Sequence, residues 1–477
     1  MEKTQLRFSR QKFKHVWFVV LFSLLFFIVR IPFFSNPLFF EEGIFADIFI
    51  NRIHGPQYGQ IGRINGEEIY TALQHPGFIY ETIAISGQIF QIIVPLKGIP
   101  QEVMNFRIRA AFAIFQFLYW LWIIFILALA ERKNLKHQFS MALKIVIIIL
   151  SIMPLAVHSS YILQVDNSVG VLLAGFFAGF LLIWYLDLFR TWTLNVFSFL
   201  SGLIWGIGKN EWTILLFLSM LFTFAFLMLR RLLLKEKPPV KTDFVILLFH
   251  LVGCICGNIL NFLFDPGNYF GGIQLIFERA VATKSGFEEA GGVALWFNTL
   301  VFKSPYLFLG IIGSIVLFFI CVQRIKVLPA VFVWGASYSF LLFFFFFFAS
   351  YHTEIRYFIV SYVLQVALFA MAFFMLPLTK RGLFYGRVGL MIIILLAFIH
   401  YGQSLRQMSR EREQRTTTDM YLYFQYQKEM GEKTGCIPAM DIADAFNNDS
   451  LDYLSYTLFY EHSTAIISSY GKQLCMQ

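Results

Sequence analysis

Long apolar stretches recur along almost the whole chain, and they decide what it can fold into. A helix that crosses a bilayer needs about 20 consecutive apolar residues. Strong candidates lie at 110–130, 138–157, 168–186, 212–229, 244–264, 306–323, 328–349 and 357–378, with shorter ones at 16–30, 193–208 and 388–402. They imply an all-α polytopic membrane protein with about eleven spans, because only helices satisfy their own backbone inside lipid at this segment length. The 477 residues are 58% hydrophobic and 14% charged, whereas a soluble domain carries about 25% charged residues. The run Phe343–Phe348 fits a lipid-facing helix better than a soluble core.

The formal net charge of +9 does not indicate nucleic acid. Lys and Arg cluster in short segments between apolar stretches, the pattern of cytoplasmic loops. The stretch Val16–Val29 follows Lys3, Arg7, Arg10, Lys12 and Lys14 and has no small-residue cleavage site. It reads as a first span with a cytoplasmic N-terminus. Cys254, Cys256 and Cys321 lie inside apolar stretches as small packing residues. Cys436 and Cys475 lie in the polar tail, and their pairing stays open because it depends on the compartment.

Residues 78–96 are apolar but carry Glu81, Gln88, Gln91 and Pro95. If this stretch does not cross, Glu131–His137, Arg230–Lys241, Arg324–Lys326 and Lys380–Arg387 all fall on the cytoplasmic side. If it crosses, they all fall outside. The positive-inside rule selects the first case. Residues 78–96 are therefore expected to form an amphipathic helix along the outer interface. The outer segments are then 31–109, 158–167, 209–211, 265–305 and 350–356, with a small extracytoplasmic tail over 403–477. A transmembrane domain over 1–402 carries the chemistry.

Polar residues in those outer segments are the candidate site. Glu41 and Glu42 follow the first span in an aromatic setting. A partly desolvated carboxylate has a raised pKa and can act as a base. The same pair also suits a helix N-terminus in a solvated loop. His75 precedes Pro76, which alone reads as a turn. Asp166 precedes an apolar run, which alone reads as a helix cap. Arg107 and Arg109 begin a span, where arginine usually snorkels. His352 and Glu354 sit near Arg356 and equally suit an ordinary loop.

The order of these pieces resembles multi-spanning glycosyltransferases of the GT-C class, in particular the branch of protein O-mannosyltransferases and the lipid A aminoarabinose transferase. Glu41-Glu42-Gly43 and Phe45-Ala46-Asp47-Ile48 match its acidic motif after the first span, with Glu in place of the usual Asp at 41. His75-Pro76-Gly77-Phe78 is a looser match to a basic residue before Pro-Pro-Leu-Tyr. Arg107-Ile108-Arg109-Ala110 mirrors the start of its second span. Asp166 ends the second outer loop. Gly202, Gly206, Gly208 and Lys209 echo a Gly-rich span ending near Lys, and Arg356-Tyr357 matches a late Arg-Tyr. The match covers about the first 215 residues and the region 350–365.

The resemblance implies sugar transfer from a polyprenyl-phosphate donor to an acceptor outside the cytoplasm, with inversion. It implies Glu41 as the base with Glu42 beside it, and Asp166 orienting the acceptor or holding a divalent cation. Some relatives use a metal and others do not, and the spacing shows no cage. His75, Lys209 and Arg356 are the implied phosphate contacts. Tyr357, His352, Glu354 and Arg107 are further candidates. The Phe-rich, Cys-poor chain and the absence of a large soluble domain favour a bacterial envelope glycan as acceptor, such as O-antigen or another lipopolysaccharide component. Serotype-converting O-antigen glucosyltransferases are similar in size and layout. The expected location is the inner membrane, with the active face periplasmic.

Two other classes stay open at this point. A transporter or flippase places ionisable residues at mid-membrane and shows paired repeats; the spans here are nearly free of charge and no repeat is visible. A polysaccharide polymerase carries Arg-rich outer loops rather than an acidic pair after the first span.

Overall fold

The computed structural model describes residues 16–34, 45, 46, 48–50, 60–64, 67–70, 77–96, 99, 101–132, 144, 147–161, 163, 166–208, 210–234, 241–264, 266, 269, 305–345, 358–376, 399, 402, 406, 436–438 and 473–475. Helix α1 covers Val16–Ile28. The segment after it carries an antiparallel hairpin, β1 (Gln60–Ile64) with β2 (Glu67–Tyr70), and helix α2 (Gly77–Ile93). The bundle continues as α3 (Gln101–Arg132), α4 (Pro154–Tyr161), α5 (Val171–Tyr185), α6 (Thr191–Ile207), α7 (Asn210–Leu234), α8 (Lys241–Phe264), α9 (Pro305–Arg324), α10 (Ala330–Phe344) and α11 (Ile359–Met375). In the tail, β3 (Cys436–Pro438) pairs in parallel with β4 (Gln473–Cys475). The register sets Cys436 opposite Gln473 and Cys475 opposite Pro438, so the two cysteines are not at directly opposed positions.

Among the described residues four helices are long and apolar enough to cross a membrane: Val103–Glu131, Ser168–Tyr185, Thr213–Leu233 and Thr242–Phe264. Shorter apolar helices accompany them. The outward faces of α7 and α8 are apolar, with Phe217, Leu221 and Phe222 exposed on one and Phe244, Leu248 and Ile259 on the other. Such surfaces suit lipid rather than water. The chain is thus a multi-pass helical membrane protein. Every expected span except 388–402 contains a described helix; that one lies outside the described residues apart from 399 and 402. The phenylalanine run divides: Phe343 is buried against the Phe358 ring, Phe344 is exposed, and 346–348 lie outside the described residues.

The closest helix pair is α6 with α8. Gly202 and Gly206 meet the His250 and Cys254 carbonyls, and Gly253 and Gly257 meet the Phe199 and Leu203 carbonyls. A Cβ at Gly202 would lie 2.0 Å from the His250 oxygen. Small residues four apart on both helices allow this backbone contact, as in other membrane helix pairs. Residue numbers rise together along the pair, so the helices are parallel, as alternate crossing by α6, α7 and α8 requires. Asn261 Nδ2 on α8 donates to the Gly206 and Ile207 carbonyls at the end of α6, both at 3.0 Å.

Two segments expected on the cytoplasmic side, at 230 and 325, meet one another. At the end expected to be cytoplasmic, Lys144 meets Glu131 at 2.9 Å and Arg230 donates to the Ile325 carbonyl at 2.6 Å. The opposite, outer end is built differently.

Candidate functional site at the outer end of the bundle

The outer end has a hydrophobic core of its own, separate from the main one. It joins Phe45, Ala46 and Ile48–Ile50 to Ile79, Tyr80 and Ile83 of α2, to Met104, Ile108 and Phe112 of α3, and to Leu163 and Val169. Residues 45, 46 and 48–50 are helical and continue directly from the acidic motif. Phe45 stacks on Tyr80, and Phe49 packs on Phe90 and Phe112. Gly87 lets the backbone of this short helix touch α2, since a Cβ there would sit 1.8 Å from the Phe49 oxygen. The Gln91 amide completes the seat: its Nε2 donates to the Ile50 carbonyl at 2.9 Å and the Phe49 carbonyl at 3.3 Å.

Helix α2 itself has 17 residues, about 26 Å at 1.5 Å per residue. One face is buried and the other presents Ile85, Ile89, Ile92 and Ile93, with Ile92 83% exposed. The exposed isoleucine face suits lipid, and Gln91 carries its amide to the backbone of the short helix packed on the other side.

Two arginines at this end are fully buried. Arg30, just after α1, donates to Ser160 Oγ at 2.6 Å, Gln116 Oε1 at 3.2 Å, and the Phe26, Ser151 and Ala156 carbonyls at 2.9, 2.8 and 3.2 Å. Its guanidinium lies 3.5 Å from the Phe26 ring centre. Pro154 breaks the helix here, having no N–H for the Leu150 carbonyl. Tyr362 of α11 donates its hydroxyl to that carbonyl at 2.9 Å, and Arg30 takes the next one, Ser151. Arg109 donates to the Tyr161 carbonyl, the last of α4, at 2.6 Å. Arg109 therefore does not snorkel, although its position at a span end favours that.

Beyond α4 the chain passes the buried Leu163 and enters a single π-helical turn, Asp166–Gly170, before α5. Gly170, not Asp166, is the cap residue of α5. Such turns are rare and frequent at functional sites. Arg107 donates to the Pro95 carbonyl at 2.5 Å, which ties α3 to the link from α2.

Of the sequence-predicted site residues, Glu41, Glu42, His75, Lys209, His352, Glu354, Arg356 and Tyr357 lie outside the described residues, and for Asp166 the backbone alone is described. Their described flanks lie on elements that touch one another. Phe34 packs on Phe106 of α3 and Phe45 on Tyr80 of α2, on either side of the acidic pair. Phe78, after His75, packs on Phe264 of α8. Asn261, one turn before Phe264, holds the end of α6 just ahead of Lys209. The Asp166 turn contacts α2, α3 and α11, and α11 follows Arg356 and Tyr357. Among the described residues no group of three or more His, Cys, Asp or Glu side chains is gathered.

Sequence reasoning passes over Arg30, Gln91 and Asn261. The nearest signal for Arg30 is the pair Gln116 and Ser151 within apolar stretches, with Ser159 and Ser160 just beyond one, since buried polar groups need partners. Gln91 stands out only as a polar residue in an apolar stretch, and neither its partners nor those of Asn261 are readable, because the acceptors are backbone carbonyls distant in the chain.

Neither a family model nor a curated protein matches this chain. Among solved structures it is similar to ArnT from Cupriavidus metallidurans bound to undecaprenyl phosphate, with 14% identity, a TM-score of 0.47, and coverage of 95% of this chain and 69% of that one. A likeness of this degree does not by itself assign a fold or an activity.

Proposed function

We propose that this protein transfers a sugar from a polyprenyl-phosphate-linked donor to an acceptor outside the cytoplasm, at the outer end of the bundle. The observation that supports it is the meeting of flanks: segments far apart in sequence, each bordering one motif of the GT-C-like series, border one another at a single end of the molecule. A plain set of surface loops has no need of a separate core and fully buried arginines beneath it.

In this reading Glu41 accepts the proton of the acceptor hydroxyl as that oxygen bonds to the anomeric carbon, with Glu42 beside it. The bond from that carbon to the phosphate oxygen breaks, and the lipid phosphate leaves with the electron pair. His75, Lys209 and Arg356 stabilise the departing phosphate. Asp166 orients the acceptor, and the carboxylates favour the oxocarbenium-like transition state. The configuration inverts in this single displacement. No metal step is assigned. The acceptor class is a bacterial envelope glycan such as O-antigen or another lipopolysaccharide component, in an inner membrane with the site facing the periplasm.

The test is a transfer assay with membranes holding wild type, Glu41→Gln or Glu42→Gln, supplied with polyprenyl-phosphate sugars. Transfer by wild type that collapses in one variant, with expression intact, identifies the base. Activity surviving both changes removes the acid–base assignment, and no transfer with any donor overturns the enzyme reading.

A further inference from the structure

Arg109 is a fully buried guanidinium on α3 to which the proposed transfer assigns no role. Its Nη1 donates at 2.6 Å to the Tyr161 carbonyl. That carbonyl ends α4, where intrahelical donors run out and a cation is favoured by the helix dipole. The Tyr161 ring stacks on Phe33 with centres 5.1 Å apart, and the Arg109 guanidinium lies 5.7 Å from the centre of the same ring. From Tyr161 the chain reaches Asp166 in five residues, with Leu163 wholly buried between them. Asp166 then opens a π-helical turn that also packs on α3. Both ends of this connection are thus referred to α3. One turn before Arg109, Asn105 is buried with an Oδ1 that accepts no hydrogen bond, so an unused acceptor lies on the same stretch of helix.

We propose that Arg109 is a positioning residue for Asp166: it caps α4, sets the direction in which the chain leaves it, and so holds the Asp166 turn against α3. This rests on the glycosyltransferase reading for its catalytic consequence, but not for its geometry. Arg109 touches the backbone that carries Asp166; it is not assigned to the reacting atoms. Lysine at 109 keeps the charge and loses the planar fork.

The deciding experiment is a double-mutant cycle on the full chain, with Arg109→Met and Asp166→Asn alone and together, read as kcat and KM for the lipid-linked donor. Arg109→Met is expected to lower kcat about tenfold with KM nearly unchanged, and to change activity less than about twofold in the Asp166→Asn background. Equal fold-losses in the two backgrounds overturn the proposal, as does a loss confined to KM. Where Arg109→Met does not accumulate, Arg109→Lys is read in the same cycle. A second measurement needs no transfer activity: the rate at which a carbodiimide and an amine label the Asp166 carboxyl, read by peptide mass spectrometry against Glu461 in the tail. A several-fold change at Asp166 in Arg109→Lys supports the proposal, and an unchanged rate overturns it. Absence of transfer by wild type ends the glycosyltransferase reading and leaves the labelling result to decide the positioning role.

Discussion

The two ends of the bundle handle buried charge in different ways. At the inner end Lys144 sits 2.9 Å from Glu131, and both side chains are nearly inaccessible. One opposite charge answers the other, and Lys144 is fastened to the end of α3 by that contact. At the outer end Arg30 and Arg109 direct donors to carbonyls and hydroxyls of a broken stretch, from Ser151 to Tyr161. Irregular backbone at membrane depth persists only where neighbours satisfy its polar groups. The ion pair answers one charge with another; the arginine donors serve an interrupted segment. An irregular segment is what a site requires, because straight helices present no convergent polar groups.

The sharpest way to break this contrast is Arg30→Leu. It leaves Ser160 Oγ, Gln116 Oε1 and three carbonyls without this donor. At about 1 kcal/mol for each unmade buried bond, the loss is about 5 kcal/mol. Little folded protein should survive detergent extraction, as followed by size-exclusion profile and thermal unfolding. Arg30→Lys should recover only a small part, since an ammonium lacks the fork. A loss under about 1 kcal/mol would put Arg30 among ordinary surface charges and remove the contrast. At the inner end, Glu131→Gln should cost about 3 kcal/mol by leaving Lys144 buried without its carboxylate. The double change Glu131→Leu with Lys144→Leu should recover most of that, because apolar residues can replace a buried pair. No such double replacement is expected to rescue Arg30→Leu, whose partners include backbone.

Much of the bundle was legible in the sequence. Hydropathy marks the spans, and the basic loops sort their ends, because both signals are local in the chain. The interfacial placement of α2 rests on charge parity, and its exposed Ile85, Ile89, Ile92 and Ile93 show only that one face suits lipid. The hairpin was also legible, since Asn65-Gly66 between β1 and β2 is a strong turn signal; attention to interfacial helices alone passes over it. Arg109 was not legible. Snorkelling is the ordinary fate of arginine at a span end, and only the end of α4, 52 residues further on, supplies the acceptor that reverses it. The candidate base, Glu41, rests on motif order, and its surroundings lie outside the described residues.

A smaller effect refines the outer end. Tyr362→Phe removes the hydroxyl that meets the carbonyl freed by Pro154. The loss should be about 1.5 kcal/mol in thermal unfolding, well below Arg30→Leu. An equal loss in the two variants would mean that the break at Pro154, rather than the arginine network as a whole, limits stability.

The smallest expected change in stability has a larger expected consequence for activity. Gln91→Leu keeps the size of the side chain and removes the amide that donates to Phe49 and Ile50. Phe45, Phe49 and the Gly87 contact still hold the short helix on α2, so stability should fall by about 1 kcal/mol. The helical residues 48–50 then lose this tie to α2, and the acidic pair is only a few residues before Phe45. Transfer should fall about tenfold, since a displacement of about 1 Å at a reacting group is enough for that or more. The inner-end counterpart, Glu131→Gln, should show the opposite balance: a larger loss of stability, with undiminished turnover per folded molecule. If Gln91→Leu lowers stability and turnover in the same proportion as Glu131→Gln, the outer end is only another fastening, and the distinction between the two ends fails.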